Sequence, residues 1–431
     1  MTRVVMIAAP TSGAGKTTVS LALMRAFRER RLDVRAAKSG PDYIDPAFHE
    51  AALGAPSVNL DAWADGPGAL AARAAGQGGD LLIVEAAMGL LDGAPDGSGA
   101  AADLAAALGA PVVMVVDASK SAHSAALPLA GARALRPDLE IAGAILNRVG
   151  SDRHARIARA AVERAGFRVF GAVRRDEALA LPSRHLGLVQ ARERPDLEAF
   201  IADAARRIAR GVDLDALDAA AGLLATPGGA VSATPPLGQR IAIARDDAFA
   251  FSYPHHLSDW RAAGAEITFF SPLADEAPDP AADAVFLPGG YPELHGERLA
   301  DAGRFRDGLR AAAKNALVYG ECGGFMALGE ALIDADGVAH RMAGLLPVVT
   351  TFAKRRLSLG YRRLRPLGGA FAEKISGTLA AHEFHYARIE IEGAAPRLFA
   401  AWDAEGERLG PMGVSAGRVC GSFAHVIGPM G

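Results

Sequence analysis

Residues 9–18 read Ala-Pro-Thr-Ser-Gly-Ala-Gly-Lys-Thr-Thr, a run with the chemistry of a phosphate site. Gly13 and Gly15 leave backbone N–H groups able to converge on phosphate oxygens with no side chain in the way. Lys16 supplies a point charge for β- and γ-phosphates, the Thr17 hydroxyl is spaced to ligate Mg²⁺, and Thr18 continues the turn. A helix starting here adds the positive end of its dipole. The customary loop has glycine six residues before the lysine, where this chain has Pro10, but Gly15-Lys16-Thr17 is intact. These residues predict a site for Mg-ATP.

Such a site needs carboxylates at neighbouring strand ends. The segment 38–46, Lys-Ser-Gly-Pro-Asp-Tyr-Ile-Asp-Pro, follows the second apolar run and offers Lys38, Asp42 and Asp45. Glu85 closes the third run, ahead of Met88-Gly89-Leu90-Leu91-Asp92. Asn147, after the fifth, has an amide able to read adenine, although asparagine after a strand also serves simply as a turn residue.

A second chemistry sits far along the chain. Gly320-Glu321-Cys322-Gly323-Gly324 follows an apolar run, and small residues around a nucleophile permit a tight strand-to-helix bend that presents its sulfur. Upstream, Leu287-Pro288-Gly289-Gly290-Tyr291-Pro292-Glu293 is another glycine turn, whose N–H groups together with that of Gly323 make a candidate oxyanion hole. His425 is the candidate base; Cys420 has no comparable setting and reads as structural. A free thiol near pKa 8.5 is only a few per cent ionised at pH 7, so full ionisation gains about 2 kcal/mol. Losing one oxyanion donor costs roughly 2.7–4 kcal/mol. Orientation should therefore matter at least as much as thiol acidity.

Strands and helices must hold these groups in place. Apolar runs at 4–8, 34–37, 81–84, 112–116 and 141–146 do not alternate, as expected of parallel strands covered on both faces. Helix-length segments such as 17–30 and 101–108 lie between them, so a parallel sheet with right-handed crossovers is expected. Residues 225–239, rich in proline and glycine, read as a linker between domains 1–224 and 240–431. The αβ rhythm then restarts with runs at 240–244, 267–270, 284–287 and 316–319, and the chain from 338 onward looks richer in β structure. With 46 basic against 49 acidic residues, a net charge of −3, no general nucleic-acid binder is expected. Half of the residues are hydrophobic and 22% charged, enough for real cores. Two cysteines exclude a disulfide framework. No apolar run approaches the ~20 residues of a membrane helix, and the start is too short for a signal peptide. A cytoplasmic protein with no membrane partner is expected.

Together, PTSGAGKTT, KSGPDYIDPAFH, VEAAMGLLDG, ILNRVGSDRH, LPGGYPE, YGECGGFMALG, LGYR and HEFHYA resemble the cobyrinic/hydrogenobyrinic acid a,c-diamide synthases of cobalamin biosynthesis, in order along nearly the whole chain. The resemblance implies a dethiobiotin-synthetase-like ATPase domain joined to a class I glutamine amidotransferase domain, both α/β. It implies ATP- and glutamine-dependent amidation of the a and c acetates of hydrogenobyrinic or cobyrinic acid through acyl phosphates. Cys322 would be the nucleophile on L-glutamine, His425 its base and acid, and Gly290 and Gly323 the oxyanion donors. Lys16, Thr17, Asp45 and Glu85 would hold Mg-ATP, with the metal on Thr17, Asp45 and Glu85. Tyr43, Asp45, Glu85, Met88, Leu90 and Asp92 would face the corrinoid, and His382 and His385 would be corrinoid or interface contacts. A homodimer is compatible with this. Two departures stand out: Ala86 where the family often has glycine, and Ile427 where a second histidine is common. Triad amidotransferases place a glutamate two residues after the histidine, so Ile427 leaves a Cys322–His425 dyad whose orienting group the sequence does not name.

Other readings stay open at this point. An amidase of the same family could act on another tetrapyrrole, such as a nickel sirohydrochlorin, or on the peripheral corrin carboxylates. A partitioning-type switch ATPase would leave the cysteine domain unexplained and lacks an early loop lysine, since Pro10-Thr11-Ser12 stands there. A corrinoid sensor with decayed catalysis conflicts with intact Lys16, Cys322 and His425.

Overall fold

The computed structural model describes residues 2–184, 187–226, 228–229 and 231–430. The chain forms two compact units, Met1–Val231 and Ser232–Gly431. The segment read as a linker includes Pro227 and Ala230, which lie outside the described residues.

The first unit is built on a parallel sheet whose strands lie in the order Ser57–Leu60, Val34–Ser39, Leu81–Glu85, Arg3–Ala8, Val112–Asp117, Ile141–Val149, Arg168–Arg174. Gly222–Leu223 adds an antiparallel pair to the start of Arg3–Ala8. The interiors of the central strands are apolar because both faces are covered: Val4, Met6 and Ala8 enter one core cluster, while Val5 and Ile7 on the other face are equally buried. Sequence reasoning missed Ser57–Leu60 and Arg168–Arg174, and these are the two edges of the sheet. Edge strands tolerate polar residues, and Arg168 and Arg174 are exposed at the ends of theirs, so neither reads as a continuous apolar run. The chain leaves Arg3–Ala8 in one direction and returns past it in the other, so the loop after that strand lies at the switch point of the sheet.

The second unit has a ten-stranded sheet. Glu266–Phe270, Arg240–Ala244, Ala284–Leu287, Leu317–Glu321 and Val419–Ser422 run parallel in that order. Met412–Ala416, Arg397–Trp402, Ser358–Pro366, Leu379–His385 and His425–Pro429 continue it with antiparallel pairing. The two-residue period of Ala284–Leu287 sends Val285 and Leu287 into one core and Phe286 into the other. The expected β-rich character beyond residue 338 holds, with a further four-stranded sheet of Ala339–Arg341, Ala331–Ile333, Val348–Thr351 and Arg388–Glu392. Among the described residues, no helix is long and apolar enough to cross a membrane.

Candidate active sites

In the first unit, the loop after Arg3–Ala8 enters the helix Lys16–Glu29 through Gly13 and Gly15, with φ of +81° and +90°. Both angles lie in the left-handed region, where L side chains are strained. The turn is braced from behind: the Asn147 amide donates to the Ala14 carbonyl at 2.8 Å and Arg148 donates to the Gly13 carbonyl at 2.8 Å. Asn147, expected to read adenine, thus has its amide nitrogen on the loop, 2.4 Å from where a Gly15 Cβ would lie. Lys16 Nζ donates to the Met88 carbonyl at 2.5 Å, and burial is the main cause that lowers its pKa.

The strand ends supply the carboxylates. Thr17 Oγ1 donates to Glu85 Oε1 at 2.7 Å, and Lys38 Nζ lies 3.1 Å from the same oxygen while also donating to Asp45. His49, which sequence reasoning gave no role, meets Glu85 Oε2 at 2.8 Å through Nε2 and the Ser57 hydroxyl at 2.9 Å through Nδ1. An ionised carboxylate only accepts, so His49 Nε2 bears the proton shared with Glu85. Burial opposes the Glu85 charge, but Lys38, His49 and Thr17 outweigh it and hold the carboxyl below its ordinary range. Burial likewise opposes the Lys38 charge, and the carboxylates of Asp45, Glu85 and Asp42 override it, keeping the ammonium protonated. Asp42 turns its own carboxylate to the N–H groups of Ile44 and Asp45 at 2.8 and 3.1 Å, which fixes the start of the helix Asp45–Leu53.

The residues expected to meet the corrinoid divide by exposure. Met88 is 48% exposed and its φ is +46°, a strained conformation held at the mouth of the loop. Tyr43 is half-buried. Leu90 is packed into the core instead, its N–H donating to the Ala9 carbonyl at 2.8 Å, and the neighbouring Leu91 is exposed. Asp92 accepts from the Gly89 N–H at 2.9 Å and closes that turn.

In the second unit, the strand Leu317–Glu321 ends at Cys322, which caps the short helix Gly323–Leu328 with φ +46° and ψ −104°. A non-glycine residue held there costs of order 1–3 kcal/mol. The fully buried Phe325, Met326 and Leu328 just beyond each contribute roughly 1.5–3 kcal/mol, so packing of the helix outweighs the strain. Cys322 N donates to the Ser422 carbonyl at 2.8 Å, tying the bend to the strand three residues before His425. A Cβ on Gly289 would lie 2.3 Å from His425 Cε1, 3.1 Å from its Nε2 and 3.3 Å from Cys322 Cβ. The cysteine and the histidine therefore meet around Gly289. Gly290 N lies 3.0 Å from the point where a Gly323 Cβ would project, so the two expected oxyanion donors share one corner.

The electrostatics describe a neutral pair. Burial, then the Glu293 carboxylate, pushes the Cys322 thiol up against the pull of the Gly323 N–H. Burial, then His382 and His385, pushes His425 down to about 3. The resting site thus holds a neutral thiol beside an uncharged imidazole. His382 faces His425 across the strand pair; His385 contacts Glu383 at 3.2 Å, and Arg362 contacts the same carboxylate at 2.7 Å. Among the described residues, no group of three or more His, Cys, Asp or Glu side chains is arranged to hold a metal ion.

Glu321 is a residue whose part in the site the sequence does not reveal. Its carboxylate is buried beside the dyad, with Oε2 3.7 Å from His425 Nδ1. The signal was available: it is a carboxylate that ends an apolar strand, the same criterion that singled out Glu85.

Gly289→Ala tests the closeness of this pair. A methyl group 2.3 Å from the imidazole must push the ring aside, and a displacement of about 1 Å in a catalytic group costs on the order of 10²-fold. Glutamine hydrolysis should fall by about that factor while ammonium-supported turnover stays within about two-fold. Hydrolysis at the wild-type rate would mean that the two groups do not work from these positions.

Residues 5–189 match the CobQ/CobB/MinD/ParA nucleotide binding domain, and residues 240–428 match the CobB/CobQ-like glutamine amidotransferase domain. Over 98% of both chains, the sequence is 57% identical to the hydrogenobyrinate a,c-diamide synthase of Rhizobium meliloti (strain 1021). It is 54% identical to the enzyme of that name from Brucella anthropi, over 98% of each chain. Identity to that of Mesorhizobium japonicum is 49%, over 99% of this chain and 98% of the relative.

Proposed function

The chain belongs to the hydrogenobyrinate a,c-diamide synthase family, and from that premise we propose that it amidates the a and c acetate carboxylates of hydrogenobyrinic acid, using ATP for activation and glutamine for nitrogen. It is an ATP-dependent ligase with a glutamine amidotransferase domain.

A carboxylate is a poor electrophile, because attack by an amine must expel an oxide-like leaving group. Transfer of the γ-phosphoryl group turns that oxygen into phosphate. Lys16 would leave the Met88 carbonyl for the β- and γ-phosphates, and N–H groups of the left-handed Gly13–Gly15 turn would donate to the same charge. Thr17, Glu85 and Asp45 offer hard oxygen donors around an excess of negative charge: burial and the neighbouring Asp42 push Asp45 upward, a cost that a divalent cation relieves. That donor set fits Mg²⁺, which would neutralise charge between the phosphates. Tyr43, Met88 and Asp92 would meet the corrinoid, with exposed Leu91 in place of the buried Leu90 side chain. Asn147 would present its carboxamide to the adenine on exchanging its bond to Ala14.

Ammonia at neutral pH is mostly ammonium and not nucleophilic, so it has to be made where it is used. Cys322 attacks the glutamine amide carbon as His425 takes the thiol proton, and the N–H groups of Gly290 and Gly323 bear the developing oxyanion. His425 returns that proton to the departing nitrogen, releasing ammonia and leaving a thioester that water hydrolyses. Both cysteines are free and buried, in keeping with the reducing cytoplasm we assign to the protein.

One observation carries the proposal above the others: a strained Cys322 stands beside His425 in one unit, while an intact Gly15-Lys16-Thr17 loop meets Glu85 in the other. Incubation with Mg-ATP and amide-¹⁵N glutamine, separately with hydrogenobyrinic acid, cobyrinic acid and a nickel sirohydrochlorin, tests it by mass. Two ¹⁵N atoms should enter hydrogenobyrinic acid. Label in the nickel compound alone would replace the substrate, and ATP turnover with no label in any would favour a switch ATPase.

A further inference from the structure

Cysteine–histidine amidotransferase chemistry needs the imidazole held with its free lone pair toward sulfur. The residue two positions after His425 is Ile427, which cannot orient it by charge or hydrogen bonding from its side chain. The backbone on this stretch is nevertheless fixed at two successive points. The Ile427 carbonyl sits 2.8 Å from His255 Nε2 and 3.0 Å from His256 Nε2. The Val426 N–H donates to Glu321 Oε1 at 3.0 Å. The Tyr319 hydroxyl donates to the same oxygen, also at 3.0 Å, so the carboxylate is braced from its own strand as well. Its other oxygen, Oε2, lies 3.7 Å from His425 Nδ1, with both side chains almost wholly buried.

We propose that Glu321, the residue immediately before the nucleophile, is the positioning residue of His425, taking the place of the glutamate that triad amidotransferases carry two residues after the histidine. Oε1 anchors the strand that bears the histidine; burial pushes the resting Glu321 carboxyl up to about 8, and as the gap closes on substrate binding its ionised Oε2 accepts the Nδ1–H. The lone pair then lies on Nε2, the nitrogen on the side of Gly289 and Cys322. The 3.7 Å separation is that of a resting site, and catalytic hydrogen bonds commonly shorten when substrate binds. When Nε2 takes the thiol proton, the imidazolium formed lies between the sulfur and a buried carboxylate, so the ion that carries the proton is stabilised on its far side. Placing the acid on the nucleophile's own strand means that one bend sets both ends of the relay. This inference rests on the glutaminase chemistry proposed above.

Glu321→Gln is the sharpest test. The amide oxygen can still accept from Val426, but the NH₂ group turned to Nδ1 donates, which favours the tautomer with its proton on Nε2. In a Ser-His-Asp triad the matching acid-to-amide change lowers kcat about 10⁴-fold by that route. For glutamine hydrolysis by the full chain, kcat should fall at least ~10²-fold with KM within about three-fold. A kcat within about three-fold of wild type would overturn the proposal. A purely structural role would instead lower the thermal midpoint and the amount of active protein, leaving the kcat of the folded fraction intact. Should the variant fail to fold, ¹⁵N-histidine NMR of the wild-type protein, with the His425 signals identified by their loss in His425→Gln, decides it. Nδ1 protonated supports the proposal, and Nε2 protonated overturns it. Cys322→Ala run beside these separates the two levels: hydrolysis that persists without the thiol removes the glutaminase chemistry itself, whereas Cys322-dependent hydrolysis indifferent to Glu321→Gln removes only the positioning role.

Discussion

Cys322→Ala is expected to abolish glutamine-supported amidation and to leave ammonium-supported amidation running. In the proposed mechanism the Cys322 thiol, at the strained bend before the helix Gly323–Leu328, forms the acyl link to glutamine. Removing a nucleophile from a catalytic set costs up to about 10⁶-fold in kcat, so a loss of at least ~10³-fold is expected with glutamine as donor. Alanine removes only the sulfur, and the backbone bond from residue 322 to Ser422 is retained, so the fold should be undisturbed. With ammonium chloride at raised pH, where neutral ammonia is present, turnover should remain within about two-fold of wild type, because the acid is activated by the other set of residues. Rates with both nitrogen sources, measured on one preparation, check this. Equal loss from both in a folded protein would end the division of labour.

Lys16→Ala is expected to stop amidation with either donor. The lysine is the one cation of the phosphate turn, and the charge spread over a transferring phosphoryl group is what such a residue answers. Removing a preorganised electrostatic contact of this kind costs roughly 10²–10³-fold, and no supply of ammonia restores it, since the missing product is the activated acid. Glutamine hydrolysis measured alone should persist, which distinguishes a lost activation step from a misfolded chain. Retained ammonium-supported amidation in Lys16→Ala would remove ATP activation from the account.

What the sequence showed, and what it hid, follows from burial. Central strands such as Arg3–Ala8 and Leu81–Glu85 are covered on both faces, so residues 4–8 and 81–84 form unbroken apolar runs. The edge strands Ser57–Leu60 and Arg168–Arg174 need no such run and leave no such signal in the sequence. The phosphate turn and the cysteine bend were legible because glycine at Gly15 and Gly324 answers a local need: a left-handed φ at the first, and at the second a Leu287 carbonyl oxygen only 1.9 Å from where a Cβ would sit. His49 and Glu321 were harder. Each meets a partner distant in sequence, Glu85 for the histidine and the His425 strand for the glutamate; the end of an apolar strand marks Glu321 as a carboxylate of interest, but no local pattern records the pairing of either residue. Leu90 illustrates the reverse case: it lies in a motif loop, but its side chain faces the core while that of Met88 is exposed.

The activation step is open to one direct measurement. With ¹⁸O in the acetate carboxylates of the tetrapyrrole, unlabelled ATP and ammonium or glutamine, the inorganic phosphate released is analysed by mass. Formation of an acyl phosphate carries one carboxylate oxygen into phosphate for each amide made, so label in phosphate should match amide one to one. Amide formed while the phosphate stays unlabelled would show that the acid is never phosphorylated, and would contradict the account at its centre.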